Sequence, residues 1–418
     1  MDANTAFIAI AASIFIGFVA NFLFRRYGAP DVLILIVLGY LFGPGALGLV
    51  DQALEGSIGY ITPFVGGLAL AIIMFEAGLD LKGSQVLGAF RPAVLHSLLA
   101  FFLSLVTVAL IGVLVMNWDW LVALILAGAV ASTSGAIVVP LVRRIHVSEK
   151  TRIMLTLEAA ISEAMAVAAT VSFILIMRDG AVSVGLAVQV LGGTFLVSAA
   201  LGLATGVFWL FVLSRLSGQP FSYMITLATL LLIYAGADIL AGGIGGGVIA
   251  ALTFGLILGN EMEVAKALRM KRNPFKLDER VKEFNTEISF FVRTFFFVYL
   301  GLVASLIRFS TLVVLLAVAI FACLVAVRYV TMFVERKRIA LPKPDSTAHV
   351  LIMPRGLVAA VLASLPLSFG VVSNEIGSLI LGTTVIVILL STSMASLGAY
   401  AIHSRYGHSG RGGNREGE

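Results

Sequence analysis

Apolar residues in this chain come in long runs, and polar residues are confined to the short intervals between them. Thirteen runs stand out, at 5–24, 31–50, 59–79, 92–116, 119–142, 153–177, 181–214, 221–240, 242–260, 284–307, 310–334, 347–370 and 374–402. A helix needs about 20 apolar residues to cross a bilayer. Each run therefore predicts a membrane-spanning helix, since lipid offers the backbone no hydrogen-bond partner and the helix supplies all its own. The run 181–214 is long enough to imply strong tilt or an internal turn. The second run is broken late by Gly43-Pro44-Gly45, so its end is soft.

Composition agrees with that pattern. The chain has 418 residues, 60% hydrophobic and only 12% charged, with mean hydropathy +1.05. A soluble domain carries roughly 25% charged residues, so a water-soluble globule is excluded. One cysteine, Cys323, rules out an intrachain disulfide. Met1 to Thr5 carries no basic run, so the first apolar run reads as a retained helix and not a cleaved signal. The expected class is an all-α polytopic membrane protein of about 13 transmembrane helices.

Basic residues orient the chain. With the N-terminus outside, the cytoplasmic loops and the tail hold 23 of the 28 Lys and Arg, and the opposite loops hold only Arg178 and Arg308. The other three, Arg293, Arg328 and Arg355, lie inside runs. This asymmetry follows the positive-inside rule and favours an odd number of spans. The expectation is a multi-pass protein of the cell membrane, its C-terminus cytoplasmic. The polar stretch from Asn260 to Lys282 reads as a solvated connecting helix beside anionic lipid, or as a regulatory site. The tail 404–418 reads as disordered.

Ionisable groups within spans are costly, so each is a candidate for function. They are Glu76, Glu158, Glu163, Asp238, Glu287, Arg293, Arg328 and Arg355. Asp238 and Arg328 sit nearer span ends, where snorkelling or capping would account for them. Glu163 lies about ten residues into its span, hence roughly 15 Å deep. Small and apolar neighbours offer it no countercharge. A carboxylate so placed holds a cation or a proton, but hardly both, which is the minimum machinery of exchange. The bland reading is a neutral, hydrogen-bonded structural Glu. Glu158 stands five residues earlier, about 140° around the helix, and so faces elsewhere. A buried Arg needs an acidic mate, and Arg355 is its partner by type, more structural than catalytic. Glu287 and Arg293 lie on different turns of one span and are expected to pair with other helices. Glu76 reads evenly as a cation funnel or as a helix-to-helix hydrogen bond.

Two spans are chemically interrupted. The fifth contains Ser132-Thr133-Ser134-Gly135, and the twelfth Met353-Pro354-Arg355-Gly356. Hydroxyls, Gly and Pro in mid-membrane suggest unwound stretches whose freed carbonyls can coordinate an ion. An offset of seven spans makes the two antiparallel, as an inverted repeat requires. The alternative is that the hydroxyls merely join helices. No Gly-rich phosphate loop is present and the five His, at 96, 146, 349, 403 and 408, are scattered. An ATP-driven pump or a zinc protease is thus unsupported, and neither an enzyme nor a resident cofactor is expected.

Five segments together resemble the cation/proton antiporter superfamily, nearest its NhaP-type sodium/proton antiporters and their archaeal relatives. They are Phe75-Glu76-Ala77-Gly78-Leu79-Asp80, Ser132-Thr133-Ser134-Gly135, Leu157-Glu158-Ala159-Ala160-Ile161-Ser162-Glu163, the stretch from Arg293 to Gly301, and Pro354-Arg355-Gly356-Leu357-Val358. The resemblance implies an antiporter fold with two crossed, unwound helices, here the fifth and twelfth spans. It implies a homodimer working in pH homeostasis, with no nucleic acid among its partners. It divides a membrane domain of 1–403 into core helices at about 59–177 and 284–402 and dimerisation or linker helices at about 1–50 and 181–260. It places the ion site at an Asn-Asp or Asp-Asp pair that here reads Ser162-Glu163. The family's Thr-Asp-Pro reads Thr133-Ser134-Gly135, so a second acid is missing. Glu158 and Arg355 match the family's buried Glu and Arg. The expected activity is electroneutral exchange of sodium or potassium for protons by alternating access. Glu163, Ser162, Thr133 and Ser134 would be cation- and proton-binding, with Glu163 and Thr133 ligating the transported metal ion. Glu158 and Arg355 would form a structural ion pair, and Glu76, Glu287 and Arg293 would be accessory. The rival readings are a proton-coupled carrier of another solute and a non-transporting sensor on a transporter fold.

Overall fold

A computed structural model describes residues 31–43, 55–81, 83–143, 145–179, 184–216, 221–240, 246–269, 279–305, 310–335 and 342–406, with Gly48 and scattered residues from 11 to 22. Among them the structure is helical throughout, without strands. In chain order the helices are α1 (Asp31–Phe42), α2 (Glu55–Asp80), α3 (Gly83–Met116), α4 (Trp120–Ala131), α5 (Gly135–Val142), α6 (Glu149–Asp179), α7 (Val184–Leu216), α8 (Ser222–Leu240), α9 (Gly246–Gly259), α10 (Glu261–Ala267), α11 (Glu279–Ser305), α12 (Thr311–Glu335), α13 (Lys343–Leu351), α14 (Leu357–Ser368) and α15 (Asn374–Tyr406). Twelve of the apolar runs coincide with these helices. The run 5–24 and the tail 407–418 fall wholly or largely outside the described residues.

Six described helices are long and apolar enough to cross a membrane, and the bent pair α9–α10 adds a seventh if counted as one span. The surface has the polarity of a membrane protein. Large apolar side chains such as Phe102, Leu114, Phe208, Leu232 and Phe333 point outward, whereas His96, Glu158, Glu163, Arg328, His349 and Arg355 are buried. This is the arrangement hydrocarbon solvent demands. The run 181–214 is one continuous helix of 33 residues, so the internal turn allowed for it does not form. At 1.5 Å per residue it is about 50 Å long, which leaves tilt.

The polar stretch after the ninth run begins as expected with a short connecting helix, α10. It leaves α9 at 82°. The side-chain amide of Asn260 fixes that corner, donating to Leu81 O and Leu256 O, each at 2.7 Å.

Packing does not divide where the expected core boundaries at 59 and 284 fall. α2 packs most extensively on α9, and α11 on α1. Glycine is the cause at the first crossing. A side chain at Gly78, Gly255 or Gly259 would run into a main-chain carbonyl of the facing helix, at Leu252, Phe75 and Leu79 respectively. Small residues let helix backbones meet, and dispersion between close backbones replaces the hydrophobic drive that lipid removes. α2 and α11 are thereby joined to helices of the linker group, and α3–α6 pack with α12–α15.

Candidate functional site

Two spans are broken in mid-course and their breaks meet. The fifth run forms α4 and α5 with residues 132–134 extended between them, at φ/ψ −81°/153° for Ser132 and −83°/117° for Ser134. The twelfth forms α13 and α14, with 352–356 non-helical between them. Proline explains the second break, since it lacks an N–H and disfavours helical geometry at the residue before it. Ser and Thr side chains explain the first, offering the backbone alternatives to the helical ladder.

A broken helix strands polar groups, and each must find a partner. Three successive N–H groups are satisfied by two other elements, α6 and the break of the twelfth run. Thr133 N–H donates to Ser162 Oγ at 3.0 Å, Ser134 N–H to the Pro354 carbonyl at 2.7 Å, and Gly135 N–H to Glu163 Oε1 at 3.0 Å. On the other strand of the crossing, Arg355 N–H donates to Ser391 Oγ at 2.9 Å, and Thr392 Oγ1 donates to the Arg355 carbonyl at 3.2 Å. The breaks touch closely enough that a β-carbon at Gly356 would lie 2.5 Å from Ser134 Oγ.

Glu163 and Ser162 therefore belong to the crossing itself. One carboxylate oxygen of Glu163 is held by Gly135. The other, Oε2, is buried with no hydrogen-bond partner, and so is Ser134 Oγ. Ser162 Oγ accepts from Thr133 and donates to the Ala159 carbonyl at 3.2 Å. A hydroxyl has one proton and two lone pairs, so Ser162 keeps one lone pair.

Thr133 is different, and corrects an expectation. Its hydroxyl donates to Glu158 Oε1 at 3.1 Å and accepts from Arg355 Nη1 at 3.1 Å and Arg328 Nη2 at 3.4 Å. One donor and two acceptor positions are then all used, and no lone pair remains for a transported metal ion.

A second correction concerns the ion pair. Glu158 is bound directly by Arg328, at 2.6 Å from Nη2 to Oε1. Arg355 reaches the same carboxylate only through the Thr133 hydroxyl, and its Nη1 also donates to the Met353 carbonyl at 3.3 Å. Arg328 is 2% exposed, so it neither snorkels nor caps. It lies on the buried stripe of α12 with Ile320, Leu324 and Thr331, spaced by three or four residues as one helix face requires.

The histidines are not all scattered in space. His96 from α3 and His349 from α13 meet edge to face at 5.2 Å between ring centres. Arg328 Nη1 lies 2.7 Å from His96 Nε2. A guanidinium only donates, so Nε2 accepts and carries no proton there. It cannot then donate to Glu158 Oε2, 3.3 Å away, which has no hydrogen-bond partner. Ligand atoms of His96, Glu158 and His349 lie within 4.8 Å of one another, the one metal-like group among the described residues. The Arg328 guanidinium sits among them, and a dication would share the pocket with that fixed positive charge. The cluster is a buried ion pair flanked by imidazoles. His96 and His349 are 253 positions apart, and the only sequence signal was their occurrence inside apolar runs.

The remaining candidates lie away from the crossing. Glu76 on α2 accepts a hydrogen bond from Ser289 Oγ on α11, the helix-to-helix alternative. Glu287 is exposed and Arg293 half-buried, and among the described residues neither has a hydrogen-bond or ion-pair partner. Asp238 accepts from Gly247 N–H at 3.1 Å, a cap on α9.

Comparison with known proteins follows the same lines. The chain is 23% identical over 263 residues to the K(+)/H(+) antiporter NhaP of Alkalimonas amylolytica, a match spanning 62% of this chain but only 44% of that protein. The structure superposes on that of the sodium proton antiporter MjNhaP1 from Methanocaldococcus jannaschii at pH 8, with TM-score 0.77 and 19% identity, covering 97% of this chain and 99% of the other. An electron-microscopy map of the same antiporter matches at TM-score 0.73 and 20% identity, with the same coverage. At these identities the structural likeness establishes the antiporter fold. The family model for the sodium/hydrogen exchanger, transmembrane, matches residues 10–397, so this chain, with two broken helices crossing beside a buried Glu, belongs to the sodium/hydrogen exchanger family.

Proposed function

We propose that this protein is a secondary active transporter that exchanges a monovalent cation, sodium or potassium, for protons. One observation carries the reading. At the crossing of two broken helices, Glu163 Oε2 and Ser134 Oγ are buried beside each other without a regular hydrogen bond to any group. Unpaired buried polar oxygens are costly, and this pair is relieved by whatever positive species enters. A proton on Oε2 neutralises the acid. A cation against Oε2, Ser134 Oγ, the spare lone pair of Ser162 Oγ and carbonyls of the break does the same. Gly135 N–H keeps Oε1 in place in both states, so the exchange happens on one oxygen.

The stoichiometry follows from charge. One carboxylate takes one H⁺ or one monovalent cation, and the site carries the same net charge either way. The exchange is therefore electroneutral. Glu158 and Arg328 hold α6 to α12, and Arg355 ties the second break to Thr133, leaving these groups structural.

We further propose alternating access by movement of α3–α6 and α12–α15 against α1, α2, α7–α9 and α11, within a membrane domain of 1–403 and followed by a cytoplasmic tail of 404–418. The 23-to-2 distribution of basic residues supports an external N-terminus and a cytoplasmic C-terminus. The family membership supports a homodimer that serves pH homeostasis.

The test is reconstitution in liposomes with an internal pH-sensitive dye. Sodium, potassium or lithium is added to wild type and to Glu163→Gln. Wild type should move protons with at least one of these cations and the variant with none. If no alkali cation moves protons in the wild type, the antiporter reading fails. A proton flux that needs some other solute would point instead to a solute carrier.

A further inference from the structure

Building on the exchange reading, we propose that the Glu163 site is a weak-field oxygen site that prefers potassium to sodium and lithium, and that Gly135 sets this preference. Close approach is the first observation. A β-carbon at Gly135 would lie 3.3 Å from Glu163 Oε2, 3.2 Å from the Met74 methyl and 3.8 Å from Ala159 Cβ. The approach to the free oxygen is thus bounded by a hydrogen of glycine, a thioether methyl from α2 and an alanine. Any side chain at 135 would take up the room beside Oε2.

Field strength is the second observation. A small cation holds its water tightly, and only strong, closely spaced negative oxygens replace that water. Fewer or weaker oxygens suffice for a larger cation, so the number and field strength of ligands decide selectivity together with cavity size. Here the site has one carboxylate. Its Oε1 already accepts the Gly135 N–H, which draws charge from the group. The position that carries a second acid in the related pattern is Ser134, a neutral hydroxyl. The charge of Glu158 is taken by Arg328 at 2.6 Å. What faces the ion is a single tempered carboxylate and neutral oxygens.

Both properties trace to one residue. Gly135 supplies the N–H that a proline there would lack, and it supplies no side chain. Glu163 and Gly135 form a matched pair, in which the acid accepts from the amide and the missing β-carbon leaves Oε2 uncrowded.

The experiment measures dye-reported exchange in liposomes for lithium, sodium, potassium and rubidium. It compares wild type with Gly135→Ala, whose methyl narrows the site, and Met74→Ala, which withdraws the thioether wall. Wild type should favour potassium over sodium. Gly135→Ala should lower the potassium-to-sodium ratio on the order of tenfold, the scale of one misfit methyl group. Met74→Ala should raise rubidium relative to sodium. A wild type that prefers sodium or lithium overturns the proposal, as does an unchanged potassium-to-sodium ratio in an active Gly135→Ala. Should Gly135→Ala be inactive with every cation, Met74→Ala decides: a raised rubidium-to-sodium ratio supports the proposal and an unchanged one overturns it. A wild type inert to all four cations defeats the exchange reading itself, a distinct result.

Discussion

Arg328 and Arg355 are both buried guanidiniums beside one acid, yet the structure gives them unequal roles, and that inequality can be measured. Arg328 Nη2 lies 2.6 Å from Glu158 Oε1, and Nη1 lies 2.7 Å from His96 Nε2. Arg355 meets neutral oxygens only, Thr133 Oγ1 at 3.1 Å and the Met353 carbonyl at 3.3 Å. Removing one partner of a buried ion pair costs about 3–5 kcal/mol, because the other charge is left uncompensated. Replacing both with apolar residues of similar volume is often neutral or better. Arg328→Met should therefore destabilise by about 3–5 kcal/mol, and Glu158→Met by a similar amount, while the double variant recovers most of the loss. Arg355→Met loses hydrogen bonds from a charged donor to neutral acceptors, about 1.5–3 kcal/mol. Equilibrium unfolding of the purified protein in mixed micelles, followed through a double-mutant cycle, measures each value. A Glu158–Arg328 coupling below about 0.5 kcal/mol, within the additivity of independent sites, would refute the assignment. So would an Arg355→Met variant as damaging as Arg328→Met.

Two further predictions concern the scaffold. Asp345, buried in the first turn of α13, accepts both the N–H and the hydroxyl of Ser148, the residue before α6; Asp345→Ala should cost about 1–3 kcal/mol in the same unfolding assay, and a loss below that range would show that the tie is dispensable. Gly255→Val should separate α2 from α9 and cost about 1–3 kcal/mol by overpacking, with Gly192→Val, where a β-carbon meets nothing within 4 Å, as the neutral control; equal losses in the two would contradict the backbone contact at Gly255.

Much of the architecture is legible in the order of residues alone. Lipid forces helices, so the apolar runs carry the elements, and both breaks are visible as Ser132 to Gly135 and Met353 to Gly356. The depth of Glu163 follows from counting residues along its run. Partner choice is not legible. Two arginines of identical chemistry compete for Glu158, and nothing in linear order separates residue 328 from residue 355. Arg328 stands close to a span end, yet it is buried against α3 and α6, which approach from distant parts of the chain. Its position on the stripe of Ile320, Leu324 and Thr331 is available in the sequence and argues for an inward side chain. The saturation of the Thr133 hydroxyl depends on three neighbours, from α6, α12 and the break after α13, and no motif reveals that. Glycine crossings explain the packing of α2 on α9: Gly78 and Gly255 give no hydropathy signal, but they decide which helices can touch.

The three amides at 133, 134 and 135 also impose a mechanical rule. Two are clasped by α6, through Ser162 and Glu163, and the third by Pro354 of the other break. Shearing α6 or the second break against the first by an ångström or two would unfasten an amide far from water. The knot can accordingly travel only as an undivided block. Whatever slippage a transport cycle requires has to be taken up elsewhere, where sliding breaks none of these bonds.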